Sequence, residues 1–353
     1  MLAPSDKIIF GLVLLLVIGS GWALYSSNNV LEDVVEEEEE ILIEEEDEEV
    51  KVLLLEDYPL GFAETESIEG DSKNEASSGA SALLTHQTYL VFSDDLTFFS
   101  DGFLIEERAS VPDVLVKGDE IWVYYVDADT AHQGDGLNIG YVMSADGGET
   151  WTDRQWVEIK GVEDDVEPVD PSLFLMEDGT VRLYYYDFPY GGVQQATSDF
   201  YVASSDDGIS FEIDQMALSI GNGHTDPDVI KRGDDWFMYY AATGVDGGAR
   251  IGVALSDDGL TFEDQGYVES EDLKSIPTAI VMDDGRIRLY SCLSNSGISF
   301  DGVSFITDTD SVLNGGGCDP SVDRYDGGYV MAYKLFNAVE PVIDPKKMSD
   351  SVK

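Results

Sequence analysis

The sequence predicts an all-β fold, a five-bladed β-propeller, preceded by an N-terminal transmembrane helix and an acidic linker. Three observations lead there. One supersecondary unit recurs along the C-terminal three-quarters of the chain. Within it, short β runs are separated by turn residues every ten or so positions. Composition also changes abruptly near Leu83, from acid-rich to strand-like.

The unit is clearest between Val169 and Phe211. An Asp-Pro entry (VDPSLF) leads into an apolar run, a Glu-Asp-Gly turn, a tyrosine-dominated run and a third run closed by a Ser/Asp/Gly turn. Such a meander cannot bury both of its faces alone, so repetition is the expected remedy. The entries recur as VPDVLV at Val111, VDPSLF at Val169, TDPDVI at Thr225, IPTAIV at Ile276 and CDPSVD at Cys318, roughly 45 to 60 residues apart. Each leads to a glycine-containing turn and then an aromatic run. That long-range spacing fits blades of about four strands and does not fit a sandwich. The fifth unit is short of strands. Thr88 to Phe98 reads as a third strand plus a turn, so the front of the propeller is expected to complete the last blade and hide its edges.

The boundaries read as an anchor over 1–27, an acidic stalk over 28–82, the propeller over 83–341 and a tail over 342–353. Ile8 to Tyr25 holds 18 largely apolar residues without a charge, about the length of a spanning helix, with Trp22 and Tyr25 at its outer end. A cleaved signal peptide is the alternative, although no small-residue cleavage site stands out. Either places the propeller on the extracytoplasmic side. The stalk, with runs such as EEEEE and EEEDEE, repels itself and is expected to stay solvated.

The whole chain of 353 residues carries 19 Lys and Arg against 72 Asp and Glu, a formal charge of −53. This excludes nucleic acid as a partner, and it suits a neutral ligand such as a carbohydrate, a cation, or a salty habitat. Cys292 and Cys318 are two buried free thiols or, in an exported chain, one bridge; the thiols are the expected state.

A second motif closes the units: Ser144 to Trp151 (SADGGETW), Ser204 to Phe211 with Asp206, Ser256 to Phe262 with Asp257, and Asn295 to Phe300. It resembles the Asp-box of sialidase-like propellers. Its physics is local: Asp and Ser side chains bond the backbone of a hairpin turn and glycine supplies positive φ. These turns are expected to be scaffolding.

The chemistry is expected where the inner strands begin, because those positions converge on one axis. They hold Asp113, Asp170, Asp226 with Asp228, and Asp319; the Ile276-Pro277-Thr278 entry has no acid. Carboxylates gathered in one pocket drive each other's pKa values apart, and two so tuned are what glycosidic bond hydrolysis uses. An acidic ring also suits Ca2+, though no cofactor is required. Five blades with Asp-Pro entries resemble the glycoside hydrolase family 43 clan of arabinanases, xylosidases and invertases, from Leu83 to about Pro341. The resemblance implies Asp113 as general base, Asp170 as pKa modulator and Asp226 as general acid. Substrate contacts are expected from His224, Asp228 and Asp319, and from Arg108, although Arg108 to Pro112 is a poor substitute for the sialidase Arg-Ile-Pro motif, which is missing. Two departures are visible: Asp113 follows its proline where the family's acid precedes it, and Asp226 stands where the family has Glu.

The expected function is therefore that of a membrane-anchored glycoside hydrolase-like protein acting on an oligo- or polysaccharide. The alternative is a non-catalytic surface propeller that binds glycan or protein partners. For any one entry Asp a structural role competes equally, since Asp before Pro caps the loop that enters a strand.

Overall fold

A computed structural model describes residues 14–18, 21–25, 83–133, 136–163, 166–189, 197–245, 248–270, 272–292, 295–308 and 317–336. The chain divides into two compact units, Met1–Glu64 and Thr65–Lys353.

In the first unit, β1 (Leu14–Ile18) and β2 (Gly21–Tyr25) pair antiparallel from Leu14↔Tyr25 to Ile18↔Gly21. The expected spanning helix over Ile8 to Tyr25 is therefore not supported. Among the described residues no helix is long and apolar enough to cross a membrane. An apolar run has no periodicity that separates strand from helix, and this one carries β-branched residues and a Gly19-Ser20-Gly21 interruption. The stalk over 28–82 and the tail over 342–353 lie outside the described residues.

In the second unit five antiparallel sheets form the blades. The first is β5 (Ala109–Lys117), β6 (Glu120–Asp127), β7 (Asn138–Ser144) and β8 (Gln155–Trp156), with α1 (Ala128–Gln133) between β6 and β7. The second is β10 (Val166–Leu175), β11 (Val181–Pro189), β12 (Thr197–Ser205) and β13 (Ser210–Gly221), to which β9 (Glu158–Lys160) adds in parallel. The third is β14 (His224–Arg232), β15 (Asp235–Val245), β16 (Gly248–Ser256) and β17 (Glu263–Tyr267). The fourth is β18 (Pro277–Val281), β19 (Ile287–Ser291), β20 (Asn295–Ser299) and β21 (Ile306–Asp308). The fifth takes its inner strands from the end of the propeller, β22 (Cys318–Tyr325) and β23 (Gly328–Phe336). Its outer strands, β3 (His86–Ser93) and β4 (Phe103–Glu107), come from the front. Closure by the N-terminal strands is thus realised, in the register Tyr329↔Ser93 to Phe336↔His86.

Two sets of hydrogen bonds join neighbouring blades. Toward the rim, a second-strand tyrosine hydroxyl donates to a turn carbonyl of the next blade. Tyr124 donates to Gly208, Tyr184 to Gly259, Tyr239 to Gly302 and Tyr290 to Leu96, at 2.6–3.0 Å. On the fifth blade the equivalent residue is Ala332, paired with Ser321 as Tyr184 is paired with Ser172. The tyrosines pack there as well, all four below 3% exposure. The second set of bonds lies at the axis and belongs to the site.

The accepting turns are built on one plan. The Asp207 carboxylate accepts the Ile209 and Ser210 amides, Asp258 those of Leu260 and Thr261, and Asp301 those of Val303 and Ser304, at 2.7–3.1 Å. Asp95 does the same for Thr97 and Phe98, at 2.9 and 3.1 Å. The expected register is corrected by one residue, from Asp206 and Asp257 to Asp207 and Asp258. The fourth turn is Ser299 to Phe305, not Asn295 to Phe300. In the Asp206-Asp207 and Asp257-Asp258 doublets it is the acid three residues before the Ser/Thr whose single oxygen accepts both amides of the turn. Such bonds hold Asp301 down at about 2.

Candidate active site

Each inner strand begins with a residue, a proline and a second residue. The proline lacks an N–H, so the ladder loses little when the chain bulges there. The register breaks between Ser110 and Asp113, Val169 and Ser172, Thr225 and Asp228, and Cys318 and Ser321. The residue before proline adopts positive φ in these four blades: Val111 (45°), Asp170 (54°), Asp226 (52°) and Asp319 (48°). Positive φ is uncommon for any L residue and strained for a β-branched one, so the repeat imposes this bulge even on Val111.

The bulge sorts the entry residues of these four blades into two levels, which Ile276 and Thr278 of the fourth blade match without a register break. The residue before proline stands at the mouth of the axis: Val111, Asp170, Asp226, Ile276 and Asp319. The residue after proline stands one step in: Asp113, Ser172, Asp228, Thr278 and Ser321. All five of these carry a short side-chain oxygen, and four reach the neighbouring blade's inner strand. Asp113 accepts the Leu173 amide at 2.7 Å, Ser172 the Val229 amide at 3.0 Å, Asp228 the Ala279 amide at 2.8 Å, and Ser321 the Val114 amide at 3.0 Å. An inner strand has an unpaired edge facing the axis, and these oxygens satisfy it. Asp113 also accepts the Ser321 hydroxyl at 2.6 Å, and Asp228 the Thr278 hydroxyl at 3.0 Å. Both oxygens of each carboxylate are therefore committed. Burial raises Asp113 well above the usual aspartate range despite the Ser321 bond, with a further push from the Asp228 charge. Burial brings Asp228 to about 7 against the Ala279 and Thr278 bonds.

The mouth level is different in kind. Asp170, Asp226 and Asp319, from three blades, are buried together, with Asp319 only 1% exposed. One Asp170 oxygen accepts the Asp226 amide at 3.3 Å, and Asp226 accepts the Thr225 hydroxyl. Asp319 forms an ion pair with the Lys334 ammonium, itself 6% exposed on β23. Desolvation pushes Asp170 up to about 7, with the Asp226 amide and Lys334 opposing and Asp319 adding. Desolvation raises Asp226 well above its usual value, reinforced by the Asp170 and Asp319 charges.

Between the levels lies a cavity of about 20 Å³, lined by Pro171, Pro227, Pro320, Asp113, Asp226, Asp228 and Asp319, room for one water. Beyond Asp113, Asp228 and Ser321 the axis widens into a second cavity of about 310 Å³ lined by the inner strands.

Against this geometry the solved structures can be compared. A family 117 glycoside hydrolase of the marine bacterium Zobellia galactanivorans is similar at 15% identity and a TM-score of 0.46, over 72% of this chain and 90% of that one. A thermostable family-43 glycoside hydrolase is similar at 16% identity and a TM-score of 0.45, over 70% and 81%. A fructofuranosidase from Schwanniomyces occidentalis, complexed with fructose, is similar at 13% identity and a TM-score of 0.49, over 62% and 50%. No protein-family model matches the chain, and no curated protein matches it by sequence. The five-bladed propeller is read from this chain's own strands, and the chemistry rests on its own residues.

Of the residues expected to act, the mouth brings together Asp170, Asp226 and Asp319. Asp113 and Asp228 are on the inner level. Arg108 lines neither cavity and pairs with Asp129 of α1 at 2.5 Å. His224 lines neither cavity: its Nδ1 meets the Gly221 carbonyl of β13 in the second blade, its ring stands edge-on to Tyr240 of its own blade at 5.5 Å, and its buried Nε2 has no hydrogen-bond partner among the described residues. Lys334 carries the one ion pair of the mouth among the described residues, and no motif announces it. Cys292 and Cys318 form a disulfide, which corrects the expected free thiols. The two residues flank the junction of the fourth and fifth blades, with Cα atoms 4.2 Å apart, a proximity that spacing in sequence does not reveal. Among the described residues the one cluster with metal-ligand spacing is Cys292, Cys318 and Asp319, and its sulfurs are already bonded to each other.

Proposed function

We propose that this protein is an exported, carbohydrate-active propeller of glycoside-hydrolase-like fold that cleaves glycosidic bonds at its axial mouth. The observation that carries the reading is the gathering of Asp170, Asp226 and Asp319, buried carboxyls from three blades that feel one another's charge, with Asp170 accepting the Asp226 amide. Glycosidic hydrolysis needs one carboxyl that holds a proton near neutral pH and another that is ionised. Burial beside two other carboxylates supports Asp226 as the proton donor to the leaving oxygen. Asp319, against the Lys334 ammonium, supports the ionised role, and Asp170 tunes the pair. The ionised role moves away from Asp113, whose oxygens are occupied by Leu173 and Ser321.

Export is supported by the Cys292–Cys318 disulfide, since such bonds persist in oxidising compartments. Attachment to a membrane rests on the charge-free segment Ile8 to Tyr25 in the sequence. The substrate class follows from charge: at −53 a neutral glycan is favoured over an anionic one.

A second reading, binding without hydrolysis, is favoured by Val111, which holds the mouth position where the resembling family carries its first acid. One assay separates the two. Full-length protein incubated with a panel of neutral oligosaccharides should release reducing ends, and Asp226→Asn should abolish release while keeping its fold. Retention on a glycan array without product supports the binding reading. Neither retention nor product refutes both.

A further inference from the structure

We propose that Lys334 is a positioning residue of the mouth: it fixes a negative charge on Asp319 and thereby sets how many protons the Asp170–Asp226 pair carries near neutral pH. The argument begins with charge counting. Three carboxylates buried at one point cannot all ionise, because each charge disfavours the next in a medium that water screens poorly. One buried ammonium compensates one of them, and geometry selects Asp319, the carboxylate it contacts. The other two titrate as a coupled pair, with protons belonging to the pair more than to either residue.

The strands make this arrangement specific. Lys334 on β23 pairs across the sheet with Cys318 on β22 and with Thr88 on β3. The Cys318 bridge to Cys292 ties the residue preceding Asp319 to the fourth blade. The charged and titratable groups that face Lys334 are Asp319 from β22, His86 from β3, and Asp170 and Asp226 from β10 and β14. His86 adds no competing charge: burial first, then the Lys334 charge, lowers it to about 3, and its Nδ1 sits 2.8 Å from the Ser110 hydroxyl. Lys334 is thus the cation of the cluster. Its field lowers both Asp170 and Asp226, while Asp319 raises both.

Removing the ammonium should add a proton to the cluster, and removing Asp319 should lower the pair's midpoints, which a merely structural role would not do. Full-length protein labelled with ¹³C at the aspartate carboxyls reads this directly, from about pH 4 to about pH 9. In Lys334→Met, Asp319 loses its counter-ion, so the three carboxyls should together bind one more proton near neutral pH than in the parent protein. In Asp319→Asn the midpoints of Asp170 and Asp226 should fall by about one pH unit, a tenfold loss of proton affinity, and Lys334→Arg should keep values near the original. Unmoved midpoints in folded Asp319→Asn overturn the proposal, as does a folded Lys334→Met protein that binds no further proton. If Lys334→Met does not fold, the sign of the Asp319→Asn shift decides alone. The consequence for catalysis rests on the hydrolase reading, but the titration does not. Absence of sugar release would remove that reading and leave the charge assignment to stand or fall on the midpoints.

Discussion

The Asp113 carboxylate accepts the Leu173 amide of the next blade at 2.7 Å, and this bond commits one of its oxygens to the frame between blades. Its other oxygen takes the Ser321 hydroxyl from the blade on the opposite side. One side chain thus ties three blades together where the N-terminal strands close the ring.

Replacing it should then act on stability. Asp113→Ala orphans a buried amide and a buried hydroxyl, each costing about 1–3 kcal/mol. Asp113→Asn, which keeps an acceptor for Leu173, should cost less. Urea unfolding of both variants measures this. A fully stable Asp113→Ala protein would show that the bond is not part of the frame.

The tyrosine bonds between blades should behave alike. Tyr184→Phe keeps the packing and leaves the buried Gly259 carbonyl without its 2.7 Å donor. A loss of about 1 kcal/mol is expected. Tyr124→Phe and Tyr239→Phe remove equivalent bonds and should lose similar amounts, roughly additively because the sites are separate.

Stability should fall as pH rises toward neutrality. Asp170 and Asp228 are pushed up to about 7 and Asp323 to about 6, from about 3.9 in an unfolded chain. Between those values the folded protein holds protons that the unfolded chain has released. The stabilisation is therefore complete below about pH 4 and is lost as pH climbs through 7. Thermal midpoints should be higher at about pH 5 than at about pH 8 in constant high salt, with salt held high to screen the net charge of −53. Asp228→Asn should flatten that slope, because its neutral amide still offers an acceptor to Ala279.

Reduction of the disulfide should weaken the junction of the last two blades. Closing a loop with a sequence separation of 26 stabilises by about 3.5 kcal/mol in the chain-entropy picture. Unfolding midpoints of the Cys292→Ser, Cys318→Ser double variant against the oxidised protein measure it. No loss of stability would mean that the other contacts of the junction suffice.

The sequence by itself determined the architecture. Five entry-turn-aromatic units, at nearly even spacing, can bury their faces only by packing against one another in a ring. The missing outer strands of the unit at Cys318 had a visible match at Thr88 to Phe98. The sequence also held the clue to the two levels. Aligned on proline, Asp170, Asp226 and Asp319 precede it, whereas Asp113 and Asp228 follow it. What that one-residue offset means was decided only by the bulge, which sends the residue before proline to the mouth and the residue after it to the neighbouring strand. Lys334 and the Cys292–Cys318 bridge were beyond local pattern for the same reason. Each gains its meaning from a partner that only closure of the ring, or the packing of one blade on the next, brings within reach. The tertiary structure thus turned a list of entry acids into a frame of Asp113 and Asp228 and a mouth of Asp170, Asp226 and Asp319.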